Sequence, residues 1–234
     1  MLQAGFNRMA AGLEERERLR DLFGRHGGRD VAAAALDDEM SLGGEEREVA
    51  ALFVDIVGST TLPARLPPGE VVATLNRFFA IVVEVVEAHG GLVNKFEGDA
   101  ALCVFGAPVA RPSPAADGLR AARRLATRLA AEMSEVDFGI GVSAGVAVAG
   151  NVGAEERFEY TVIGDPVNEA ARLCELAKAR PERVLAAHRA VEAASPSETG
   201  RWKTGESGRR GRDAETVLAS PISSTAPPPA GIPR

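Results

Sequence analysis

Apolar positions change their rhythm several times along the chain, and each change predicts an element. Residues 49–56, VAALFVDI, form an apolar run of strand type that ends beside Asp55. Val71, Val72, Leu75, Phe78, Phe79, Val82 and Val86 then fall on one broad face and predict a helix over 67–89. Pro68 suits its first turn, and Gly90-Gly91 ends it. Residues 92–96 and 100–105 predict two strands of a hairpin around Glu97-Gly98-Asp99. A second helix is predicted over 114–133, strands over 138–149 and 157–163, and a third helix over 165–179.

The order β-α-β-β-α-β, with extra C-terminal strands, predicts an α+β fold. Its core is a ferredoxin-like split βαβ, an antiparallel sheet flanked by helices. The strand at 138–149 alternates in an informative way. One face carries Phe138, Ile140, Val142, Ala144, Val146 and Val148; the other carries Gly139, Gly141, Ser143, Gly145, Ala147 and Ala149. So small a face calls for the close approach of a ligand or another backbone, a tightly packed helix being the simpler case.

The flanks read differently. In residues 1–36, Leu2, Phe6, Met9 and Leu13 follow a 4-3-4 spacing. The stripe breaks at EERERLR and resumes out of phase at Leu19, Leu22 and Phe23. Too few apolar residues are present for a separate core, so a dimerising helical connector is preferred to a plain surface helix. Residues 37–48 read as a polar linker, 49–220 as the compact domain, and 221–234, rich in Pro, Ser and Ala, as a disordered tail.

Composition narrows the functional classes. The chain has 234 residues and a net charge of −6, which suits one domain with extensions and disfavours general nucleic-acid binding. A split-βαβ RNA-binding domain needs aromatic platforms and a basic surface, and this chain has one Trp and one Tyr. Cys103 and Cys174 fall on apolar positions and read as buried thiols, and His26, His89 and His188 have no metal-site spacing. No apolar run approaches the ~18 residues of a membrane span. The N-terminus lacks the apolar core of a signal peptide, so the chain as given is expected to be soluble and cytoplasmic.

Two groups of residues suggest chemistry. Asp55 and Asp99 each stand at a strand end beside or near glycine, where a carboxylate can hold a hard cation against phosphate; the alternative is that both are turn residues. In YTVIGDPVNEAARL, residues 160–173, Asp165 is expected to cap a helix with Pro166 in its first position. Asn168 and Arg172 then lie four apart on one face, near a helix N-terminus, as an anion clamp. Alternatively, Asn168 serves the capping turn and Arg172 pairs with Glu169 or Glu175.

FVDIVGST, NKFEGD and YTVIGDPVNEAARL, in that order and at these separations, resemble the class III nucleotidyl cyclase catalytic domain over roughly residues 45–220. The resemblance implies conversion of ATP to 3′,5′-cyclic AMP and pyrophosphate. It implies two Mg²⁺ or Mn²⁺ ions per site, held by Asp55, Asp99 and the carbonyl of Ile56. Lys95 and Thr161 would read adenine, Asn168 would position the ribose, and Arg172 would stabilise the charged transition state. Arg210 would bind the triphosphate, although ESGRRGR is unusually polar and glycine-rich for that strand. Sites in the family are shared across a homodimer, the aspartates from one subunit and Lys, Asn and Arg from the other. The N-terminal stretch looks like the end of a HAMP-type signalling helix, compatible with the cytoplasmic part of a membrane-tethered receptor cyclase. The alternative function is a catalytically silent ATP-binding regulatory module.

Overall fold

The structure, a computed structural model, describes residues 42–205 and 218–221. The expected connector over 1–36, Arg210, and the tail beyond Pro221 lie outside the described residues. In chain order the strands are β1 (Gly43–Ile56), β2 (Gly91–Glu97), β3 (Ala100–Phe105), β4 (Phe138–Ala154), β5 (Arg157–Ile163), β6 (Val184–Ala187), β7 (Trp202–Gly205) and β8 (Leu218–Pro221). The helices are α1 (Leu62–Arg65), α2 (Pro68–Ala88), α3 (Pro114–Glu132), α4 (Asp165–Ala177), α5 (His188–Glu192) and α6 (Pro196–Thr199). Among the described residues, no helix is long and apolar enough to cross a membrane.

The sheet runs β2-β3-β1-β4-β6-β8-β7, and β5 also pairs with β4. β1 is antiparallel to both β3 and β4, and β2 to β3. The first four strands therefore make the expected split-βαβ core, with β3 inserted between β1 and β2. β4 is long enough to serve two neighbours on one edge. Its first part pairs with β6 in parallel, and its outer part pairs with β5 through Val148↔Ile163 to Ala154↔Arg157.

Each face of the sheet is covered. On one side Leu52, Val54, Cys103, Phe105, Ile140 and Val142 pack against Phe78, Val82 and Val86 of α2 and Leu119, Leu125 and Leu129 of α3. On the other side Ala51, Phe53, Leu102 and Val104 pack against Val162 of β5 and Ala170 and Cys174 of α4. The small face of β4 has its explanation here. A Cβ added to Gly141 would lie 2.1 Å from the carbonyl oxygen of Ala170 and 2.3 Å from the amide nitrogen of Cys174. The stripe of small residues lets the backbone of α4 lie against the strand, the packing alternative raised by the alternation.

Three expectations are corrected. Residues 43–48, expected to be linker, are the outer half of β1, paired with β4 from Gly43↔Asn151 to Glu48↔Val146. The polar side chains can face solvent while the backbone pairs. Gly43-Gly44 and Gly150 let the two strands approach closely, since a Cβ on Gly150 would sit 2.0 Å from the Gly43 carbonyl oxygen. On α2, the inward face is Thr74, Phe78, Ile81, Val82, Val85 and Val86, whereas Val72 is exposed. Val72 is six residues before Phe78, about 240° around the helix, and so leaves the inward face. The cap of α4 is Gly164 rather than Asp165. Asp165 is the first helical residue, where its charge favours the helix dipole.

Candidate active site

The ends of β1 and of the β2–β3 hairpin meet. Asp55 is the register partner of Ala100, which places Asp99 immediately beyond the pairing. Asp55 Oδ1 is buried without a hydrogen-bond partner, while Oδ2 accepts from Lys178 Nζ at 2.6 Å. The same ammonium reaches Glu175 Oε1 at 2.6 Å. Burial raises the pKa of Asp55, and the neighbouring Asp99 adds to the rise against the pull of Lys178. For Asp99 burial acts in the same direction, but hydrogen bonds from Ser59, with Asp55 and from a backbone amide hold its carboxyl below the ordinary range. Two ionised carboxylates repel each other, and the Lys178 ammonium offsets that repulsion from the Asp55 side only, leaving room for a shared proton or a second cation between them.

That donor set fits a hard divalent cation. It offers two carboxylates at strand ends, one with a buried and unsatisfied oxygen. No group of three or more His, Cys, Asp or Glu side chains able to hold a metal is found among the described residues. Remaining ligands would therefore come from backbone carbonyls, water or substrate phosphate. The side chain of Ile56 is buried in the core, leaving its carbonyl as the group for that role.

A separate cleft of about 460 Å³ opens between β2 and the β5–α4 unit. Lys95, Thr161 and Asn168 all line it, together with Glu159, Phe53 and Ala171. Lys95 Nζ pairs with Glu159 Oε1 at 2.9 Å. Thr161 is 7% exposed, and its hydroxyl lies 3.5 Å from Asn94 Oδ1. Asn94 Nδ2 donates to the Tyr160 carbonyl at 2.8 Å. Arg172 stands exposed on α4 and makes neither of the anticipated pairs with Glu169 or Glu175. Glu169 instead accepts from Ser143 at 2.6 Å and from Arg189 at 2.8 Å, which anchors α4 to β4 and α5.

One chain thus brings five of its expected site residues together in two sets, while Arg172 does not line the cleft. Asp55 and Asp99 form one, and Lys95, Thr161 and Asn168 form the other; neither aspartate lines the cleft. Lys178, Glu159 and Asn94 join these sets without having been singled out in the sequence. A break in strand alternation at Asn94 was the one readable sign of them. Cys174 is structural: burial first, with Asp55 nearby, pushes its thiol up to about 12, and it donates to the Gly139 carbonyl at 3.2 Å.

The family model for the adenylate and guanylate cyclase catalytic domain matches residues 44–216. The chain belongs to this family. The cyclase domain resembles two uncharacterized proteins of Mycobacterium tuberculosis. Rv1318c is 61% identical over 227 residues, covering 97% of this chain and 42% of that protein. Rv1320c is 60% identical over 222 residues, covering 94% and 39%. The chain therefore spans about two fifths of the length of these curated relatives. Among solved structures, a bacterial light-regulated adenylyl cyclase superposes with a TM-score of 0.76 at 22% identity, over 92% of this chain and 64% of that one. The guanylyl cyclase Cya2 superposes with a TM-score of 0.63 at 27% identity, over 80% and 98%. Neighbours of this cyclase domain thus include both base specificities. The family uses divalent metals, and dimerisation is typical of it.

Proposed function

We propose that the cyclase domain is an adenylyl cyclase, acting on ATP at sites shared by two copies of the chain. The observation that carries this reading is the convergence of Lys95, Thr161 and Asn168 on one cleft, apart from Asp55 and Asp99. Lys95 carries only donors and can donate to adenine N1, whereas the N1–H of guanine would oppose it. Thr161 can accept from the 6-amino group. Asn168 is placed along the same wall to orient the ribose.

In the reaction the ribose 3′-oxygen attacks the α-phosphorus. A new P–O bond forms, the α–β bridging P–O bond breaks, and pyrophosphate leaves with the bond's electron pair. The hydroxyl proton passes to water or to a substrate phosphate. Two Mg²⁺ or Mn²⁺ ions, bound at Asp55, Asp99 and the Ile56 carbonyl, would lower the pKa of the 3′-hydroxyl and neutralise the leaving phosphates. Arg172, unpaired by its acidic neighbours on α4, is available to the charge that develops on phosphate. Arg210 is assigned to the triphosphate on sequence grounds.

Separation of the two sets supports the shared arrangement, since each chain would supply the metal side of one site and the base side of the other. So does an apolar patch on the β4–β5 ribbon. Val146, Val148 and Ile163 are 53%, 44% and 55% exposed, and the last two are register partners. Such side chains gain by being covered by a second copy.

The test is product formation. The purified chain is incubated with ATP or GTP and Mg²⁺ or Mn²⁺, and cyclic nucleotide is separated by chromatography. The expected result is cyclic AMP from ATP, in excess over cyclic GMP from GTP and abolished by Asp55→Ala. ATP binding without product at high protein concentration would favour the silent regulatory module.

A further inference from the structure

We propose that Asn94 is a positioning residue that fixes the Thr161 hydroxyl as an acceptor toward the cleft, and so helps select adenine over guanine. This rests on the adenylyl cyclase reading above. A threonine hydroxyl both donates and accepts. By rotating its proton it could accept from the 6-amino group of adenine or donate to the 6-oxo group of guanine. Thr161 alone therefore discriminates poorly between the two bases.

The structure supplies the missing constraint. The pairing of β2 with β3 shifts register between Val93 and Lys95, so Asn94 is an extra, bulged residue. Val93 packs against the core on the α2 side, and Phe96 meets Phe79 of α2 with ring centroids 4.4 Å apart and ring planes tilted by 48°. Those two side chains are three residues apart, an odd separation that puts them on one face only because of the bulge. The bulge also turns Asn94 and Lys95 together toward β5, the re-aiming of side chains that bulges perform beside functional sites.

Chemistry then sets the direction of each hydrogen bond. The Tyr160 carbonyl can only accept, so the amide group of Asn94 must face it, as the 2.8 Å contact shows. Oδ1 of Asn94 is left toward Thr161, and it too can only accept. In the contact the structure gives, the Thr161 hydroxyl is therefore the donor and its proton points at Asn94. At 3.5 Å this bond is long, and its importance lies in direction rather than strength. No other partner of the hydroxyl occurs among the described residues. With the proton turned away, the lone pairs of Thr161 face the cleft, which suits an amino group and opposes a carbonyl. Lys95, paired to Glu159 two residues before Thr161, ties the same bulge to the same strand.

The experiment measures kcat/KM for ATP and for GTP in the full chain, in Asn94→Ala, in Thr161→Val and in the double variant. The proposal expects Asn94→Ala to lower the ATP:GTP ratio by about fivefold to tenfold, the scale of one directed hydrogen bond. In the Thr161→Val background the same substitution should leave the ratio within about twofold, because the hydroxyl it orients is gone. Asn94→Ser, too short to reach β5, repeats the prediction if Asn94→Ala does not fold. An unchanged ratio in the Asn94 variants, while Thr161→Val moves it, overturns the proposal and leaves the reading intact. An equal effect of Asn94→Ala with and without Thr161 also overturns it, because that marks a merely structural role. If the unaltered chain makes no cyclic AMP, the reading itself fails.

Discussion

At the residue scale, charge is concentrated where the strand ends meet and is incomplete where α4 faces outward. Asp55 is pushed toward its neutral form by deeper burial and the nearby Asp99, while Asp99, less buried and better supplied with hydrogen bonds, is pushed toward its charged form. Arg172 is exposed and unmatched by Glu169 or Glu175. If it meets charge only as the α-phosphorus is attacked, Arg172→Ala should lower kcat by about 10²–10³ while KM for ATP moves little. Steady-state kinetics at saturating metal checks this, and a rise in KM with kcat unchanged would assign Arg172 to ground-state binding instead. The thiols give a second prediction. Cys174, raised to about 12 by burial and nearby Asp55, and Cys103, raised by burial alone, are both protonated at neutral pH. Neither should be alkylated by iodoacetamide in the folded chain, and both should react in urea, as peptide mass spectrometry can read. Asp55, Asp99, Lys95, Thr161, Asn168 and Arg172 stand out in the sequence as candidates because the motifs mark them, and the structure gathers all but Arg172 into the two sets. Lys178, Glu159 and Asn94 were not, because their partners lie 123, 64 and 66 positions away and meet only through the fold.

At the element scale, hydrophobic period located the strands and long helices from 49 to 179, while β6, α5 and β7, whose Val184, Val191 and Trp202 are buried in the same core, are too short to show a period, and errors arose where backbone contact outweighed side-chain pattern. The outer half of β1 carries Glu45, Glu46, Arg47 and Glu48, which no burial pattern would select. It is a strand because β4 runs beside it and glycines allow the approach. The small face of β4 was readable as a place of close contact, although only the structure identifies α4 as the occupant. Gly141→Val should therefore force α4 from the sheet. We expect a loss of about 3 kcal/mol or more, the upper range for overpacking, measured by urea unfolding. A loss under about 1 kcal/mol would show that α4 shifts freely. A separate staple joins α3 to α6 and β7. Glu198, 3% exposed, takes two hydrogen bonds of 2.8 Å from Arg123 and one of 3.0 Å from Trp202. Arg123→Met should cost about 3 kcal/mol, because it strands a buried carboxylate. That is the low end for such losses, since Arg123 is itself a quarter exposed. Retained stability in the same unfolding experiment would mean that Trp202 alone suffices to hold Glu198 in place.

At the scale of the whole molecule, one chain keeps the Asp55–Asp99 pair apart from the residues proposed to read the base and ribose. The cleft that gathers Lys95, Thr161 and Asn168 does not include the carboxylate pair. The apolar ribbon of Val146, Val148 and Ile163 offers a surface through which a second copy could bring the halves together. Mixing two inactive variants tests cyclisation and sharing at once. Asp55→Ala removes the metal side of a site, and Asn168→Ala removes the ribose side. On the shared-site proposal each homodimer has no intact site, whereas a heterodimer keeps one of its two. At equal mixing, half the dimers are heterodimers, so about a quarter of the wild-type sites are restored. The shared-site adenylyl cyclase predicts that each variant alone makes almost no cyclic AMP from ATP, and that the mixture recovers about a quarter of wild-type activity. A mixture that stays inactive, with heterodimers shown to be present by differential tagging, would contradict it.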